Sequence, residues 1–81
     1  MNLSDLEYRL NWYVAYKHVL SIHEGSSADR CRARRGLTDI IAWLSHHGVS
    51  SLRLIKVRSN FYFVSCLVGG SFHTQFVRVT V

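Results

Sequence analysis

The chain is 81 residues long, 48% hydrophobic and 19% charged, with a formal net charge of +5. That is the size of one domain, spanning 1–81, near the lower limit at which a core forms unaided, and the apolar content argues against intrinsic disorder. The charge is unevenly placed: residues 1–39 hold six bases and five acids, whereas residues 40–81 hold four bases and no acid. Such a field favours polyanions or acidic protein surfaces as partners.

Other classes are not expected, on similar grounds. Asp5 and Glu7 occupy the stretch where a secretory signal needs a basic and then an apolar region. The longest apolar stretch, 61–70, is half the roughly 20 residues that a membrane span requires, so no membrane partner is expected. Two cysteines, Cys31 and Cys66, are too few for a disulfide scaffold. The expectation is a cytoplasmic protein with reduced thiols, a Cys31–Cys66 bridge being the minority alternative. Proline is absent and no Ser/Gly-rich linker flanks the core. The chain therefore reads as a complete small gene product, of the size common in phages and mobile elements.

In chain order, Ser4 and Glu7 fit the capping box S-x-x-E, and Leu3, Leu6, Leu10, Tyr13 and Val14 follow at helical spacing. Strand-favouring side chains crowd residues 12–16 and 19–22, but the cap decides for a helix over 4–22. Gly25 ends it and Ser27 caps the next segment. There the apolar stripe is Ala33, Leu37, Ile40, Ile41 and Leu44. On one straight helix this stripe would set Arg30 and Arg34 beside the apolar face, so Gly36 is expected to kink the axis. The result is a basic helix (28–35) followed by a hydrophobic one (38–47), with Gly48 at its C-terminal end.

The remainder reads as strands over 52–57, 61–68 and 72–81, joined by turns at Ser59–Asn60, with Asn60 suited to positive φ, and at Gly69–Gly70. Both alternating sets of the middle strand are apolar, as in a central strand with both faces at least partly covered. Val77, Val79 and Val81 share one face of the last strand; Phe76, Arg78 and Thr80 share the other. The predicted fold is α+β, with two or three N-terminal helices packed on a three-stranded antiparallel meander, ααβββ. The order of a helix, a basic helix, an apolar helix and a hairpin over 4–68 also resembles a winged helix-turn-helix domain. Its third helix offers Asp39, Trp43, His46 and His47 where groove-reading bases belong.

Among candidate sites, Arg30, Arg32, Arg34 and Arg35 fall within six residues and are expected to grip phosphates; the alternative is a solvated face partly balanced by Asp29, with Glu24 or Asp39 as further acids. Arg53, Lys56 and Arg58 lie on the first strand, with Lys56 and Arg58 on one face and Arg53 on the other. The neighbouring Phe61, Tyr62 and Phe63 read as core or as a platform for single-stranded bases. Trp43 lies roughly 110° from its stripe and is either packed under the basic helix or an anchor for a partner. No zinc-type spacing joins the five histidines to the cysteines, and His46 and His47 suit a helix C-terminus. No catalytic signature and no cofactor motif appears.

The leading expectation is a small non-enzymatic protein engaging nucleic acid through Arg30, Arg32, Arg34, Arg35, Arg53, Lys56 and Arg58. Its rival is an inhibitor or adaptor of phage type, docking the same face on an acidic protein. Exposed edge strands also permit a homodimer by sheet pairing.

Overall fold

A computed structural model describes residues 2–22 and 26–80. The expected stop at Gly25, the acid Glu24, His23 and the terminal Val81 lie outside them. The order is α1 (Leu3–Ser21), α2 (Ser27–His46), β1 (Val49–Arg58), β2 (Phe61–Val68) and β3 (Ser71–Arg78). The strands form an antiparallel meander in the order β1-β2-β3, giving the expected ααβββ arrangement.

Both helices begin at caps other than the expected ones. At α1 the cap is Asn2, whose Oδ1 accepts from the Ser4 amide at 2.9 Å, so Ser4 sits inside the first turn. At α2 it is Ser26: its Oγ accepts from the Asp29 amide at 3.1 Å, and an Asp29 carboxylate oxygen accepts from the Ser26 amide at 3.3 Å. This reciprocal box satisfies two of the orphan amides of the helix start, which Ser27 could not do one residue later.

The kink expected at Gly36 does not occur, and α2 is one helix. Gly36 is instead where α1 approaches most closely. A Cβ added there would overlap the Tyr16 ring, with Cδ2 only 2.8 Å away. The glycine thus removes a side chain from the contact rather than bending the axis. Neither arginine is sealed in the core: Arg34 is exposed and Arg30 only half-buried. With the kink goes the third helix, and with it the winged helix-turn-helix order.

Leu6, Leu10, Tyr13 and Val14 of α1 and Ala33, Leu37, Ile40 and Leu44 of α2 are buried, while Leu3 and Ile41, expected in the stripes, are exposed. Below them lie Val49, Tyr62, Val64, Cys66, Val77 and Val79. Every buried strand residue therefore points to the helices, and the core is one layer between helix and sheet. His18 is the exception in kind, a buried polar side chain whose Nδ1 lies 2.7 Å from the Tyr62 hydroxyl. That bond keeps both groups satisfied where an unpaired one would cost roughly 1–3 kcal/mol.

The turns fall as expected, but Asn60 does not take positive φ; among the described non-glycine residues only Ser51 does, at 53°. Asn60 ties the far end of the sheet instead. Its carbonyl accepts from the Val79 amide at 2.8 Å and its Nδ2 donates to the Val79 carbonyl at 3.2 Å. Gly69 and Gly70 both have positive φ, 55° and 85°, the requirement of a tight two-residue hairpin whose twist matches its strands.

Candidate functional site

The two faces of the sheet are unequally covered. Both helices pack on one; among the described residues no element covers the other. Register places its side chains in four rows across β1, β2 and β3: Arg58, Phe61, Arg78; Ile55, Phe63, Phe76; Arg53, Ser65, Thr74; Ser50, Leu67, Phe72. Directly opposed side chains stand about 5 Å apart, so each row is continuous. The rings do meet. Phe76 stacks on Phe61 with centroids 5.4 Å apart and 13° between planes, and lies 5.1 Å from Phe63. The Arg78 guanidinium sits 5.3 Å above the Phe61 ring. Phe72 is 79% exposed and Phe76 63%, far beyond what a core residue shows.

A register shift between Lys56 and Arg58 assembles the basic part of this face. Simple alternation would put Lys56 and Arg58 together and Arg53 opposite. The extra residue, Val57, moves Arg58 to the face that Arg53 and Ile55 share, opposite Phe61, and leaves Lys56 opposite Tyr62 on the helix side. Phe61 therefore lies between Arg58 and Arg78. No acid competes with these bases within the sheet, because the sequence has none after Asp39.

The arginines of α2 form no such patch. At 100° per residue Arg30 and Arg34 lie near one another, Arg32 lies on the far side and Arg35 between them. Arg32, Arg34 and Arg35 are exposed, and Arg32 makes an i,i+3 ion pair with Asp29 at 3.9 Å, of little energetic weight in water. Cys31, Arg34, Arg35, Thr38 and Asp39 border a shallow surface depression, in which the acid offsets part of the charge. The structure thus groups Arg53 and Arg58 with Arg78, and separates them from Lys56 and from Arg30, Arg32, Arg34 and Arg35.

Trp43 is half-buried against α1 rather than under a basic helix. The Arg9 guanidinium lies 4.9 Å from its ring centroid and the His47 ring stacks on it at 4.1 Å, held by an Nδ1 contact of 2.8 Å to the Trp43 carbonyl. Both flanks of the indole are occupied. Cys31 is exposed and Cys66 buried, both free, and burial pushes the Cys66 thiol up, which suppresses its thiolate. Among the described residues no three His, Cys, Asp or Glu side chains gather as a metal site, and no helix is long and apolar enough to cross a membrane.

Phe72, Phe76 and Arg78 were not among the expected site residues. Their signal was the alternation of β3, in which Phe72, Thr74, Phe76 and Arg78 fall on one face with no acid among them. Beside them a groove of about 410 Å³ runs between α1 and the end of β3, bordered by Asn11, Trp12, Phe76 and Arg78. Trp12 stacks obliquely on Tyr16 at 5.3 Å and is itself partly exposed, so the aromatic surface continues around the sheet edge. No family model, curated protein or solved structure matches the chain.

Proposed function

We propose that this is a non-catalytic binding protein that takes single-stranded nucleic acid on the open face of its sheet. The carrying observation is the row Arg58–Phe61–Arg78 beside the ring cluster Phe61, Phe63 and Phe76, on a face without an acid. Exposed rings offer bases a stacking surface that tolerates any sequence, and flanking guanidinium groups neutralise the backbone. A duplex fits less well, since its bases are already stacked. In this reading Phe61, Phe63, Phe72 and Phe76 stack, and Arg53, Arg58 and Arg78 hold phosphates. The α2 arginines add to the long-range field that speeds encounter.

Salt-titrated binding of labelled single-stranded and duplex DNA and RNA tests this. Wild type prefers single strands, with log affinity falling linearly in log salt. Phe76→Ala weakens binding by about 1–3 kcal/mol, the loss of one stacked base. Arg78→Ala lowers the salt slope by roughly 0.7. Binding that survives Phe76→Ala but disappears when Arg30, Arg32, Arg34 and Arg35 become alanine would return the site to α2. An absence of binding at low salt leaves the face to the rival occupant, an acidic protein.

A further inference from the structure

The two edges of the sheet are built differently, and the difference points to a second copy of this chain. The β1 edge is guarded. Its register shifts twice, between Ser50 and Arg53 and between Lys56 and Arg58; Ser51 takes positive φ, and three bases lie along it. Bulges and charges are the devices that keep an edge from pairing. The β3 edge has no bulge, and its one charge, Arg78, stands at the end of the strand. It pairs with β2 in one unbroken register from Ser71 to Arg78, and residues 71–77 carry no Lys, Arg, Asp or Glu.

The backbone groups that β3 turns outward follow from the turn. A two-residue hairpin is closed by a pair exchanging both its amide hydrogen bonds, here Val68 and Ser71, and such pairs then alternate. Residues 71, 73, 75 and 77 therefore bond to β2. The inward bond from the Val79 amide to Asn60 continues the same alternation. Phe72, Thr74 and Phe76 direct their N–H and C=O away from the sheet. Among the described residues no backbone group meets them.

We propose that two copies pair antiparallel through β3 about a two-fold axis at Thr74. In that register each Thr74 exchanges hydrogen bonds with the partner's Thr74, and each Phe72 does so with the partner's Phe76. The spacing of two residues on either side of Thr74 makes the edge self-complementary, as an isologous interface requires. All six side chains project on the open face, where Phe72 and the partner's Phe76 form cross-strand aromatic pairs. Arg78 falls opposite the partner's Gly70, which has no side chain to clash or repel. The side-chain-free turn is what reaches the groove beside α1. Pairing yields a six-stranded sheet whose helix-free face stays open and doubles in width. It needs no nucleic acid, so it stands or falls apart from the function proposed above.

Sedimentation velocity of the full chain over a range of concentrations, without nucleic acid, is the test. Wild type sediments at twice the monomer mass. Thr74→Arg and Thr74→Glu each give monomers, because two like charges meet on the axis, and mixing the two restores a one-to-one dimer. In a Cys31→Ser background, Thr74→Cys forms an intermolecular disulfide on mild oxidation, since the paired Cα atoms stand about 5.5 Å apart. Ser71→Cys, which pairs with the partner's Val77 instead, does not. A wild-type chain that remains monomeric throughout and gives no Thr74→Cys crosslink overturns the proposal, as does a dimer that persists in both charge variants.

Discussion

The covered and open faces of the sheet are written by alternate residues of the same strands, and both are apolar. On β2, Tyr62, Val64 and Cys66 are buried under the helices, while Phe61, Phe63 and Leu67 between them are only half-covered. On β3 the contrast is sharper, with Val77 buried and Phe76 beside it largely exposed. Hydrophobic burial explains the first set completely. It cannot explain the second, since rings left in water contribute little to folding. A sheet needing only to fold would carry Thr, Lys or Glu at those positions, as half-solvated antiparallel sheets do. The exposed rings of the open face therefore contribute less to stability than the covered set, which is what the proposed occupant accounts for.

The widest separation between the faces is expected in stability. Leu10 is fully buried where α1 meets the covered face. Leu10→Ala should cost about 2–5 kcal/mol, the transfer of the lost methyl groups plus the cavity they leave. In a domain this small such a loss is a large share of the total. Chemical denaturation checks it: the midpoint falls with little change in slope. An unchanged midpoint would mean that the helix layer is not what stabilises the sheet.

A smaller effect tests how closely that layer is closed. At Gly36 two physical terms oppose each other. Replacing a mid-helix glycine with alanine gains about 1 kcal/mol of helix propensity. Overpacking against the Tyr16 ring costs about 1–3 kcal/mol. Gly36→Ala should therefore destabilise by roughly 1 kcal/mol, and the pair Gly36→Ala with Tyr16→Ala should recover the propensity term. A plain gain in the single variant would show that the ring moves aside freely.

Much of this architecture is legible in the residues alone. The ααβββ order, both turns and the buried strip Ala33, Leu37, Ile40 and Leu44 follow from periodicity and turn chemistry. Two things were not legible, for the same reason. Whether Gly36 bends a helix or admits a neighbour depends on Tyr16, twenty residues away in sequence and unspecified by any local rule. Whether Arg53 and Arg58 share a face depends on a bulge at Val57, set by pairing with Phe61 and Tyr62 rather than by β1 itself. A run of arginines is conspicuous in sequence because it is contiguous, yet a helix scatters contiguous residues around its axis. The sheet does the reverse, bringing together Arg58, Phe61 and Arg78, which the sequence keeps apart.

The smallest expected effect is the most informative. Phe72 and Phe76 are large apolar residues, and in a core their joint truncation would unfold a domain of this size. Within one copy of the chain they keep most of their surface in water in the folded state as well as in the unfolded one, so at concentrations too low for pairing only the stacking of Phe76 on Phe61 and its tilted contact with Phe63 are lost. Phe72→Ser together with Phe76→Ser should thus shift stability by no more than about 0.5–1.5 kcal/mol, the worth of an aromatic pair. The same double variant should abolish stacking of single-stranded oligonucleotides while the circular dichroism spectrum stays that of wild type. A loss of several kcal/mol would place these rings in the fold's own core and remove the reason for assigning them to a ligand. Retained stability with lost binding separates what the sheet needs in order to fold from what it presents to a partner.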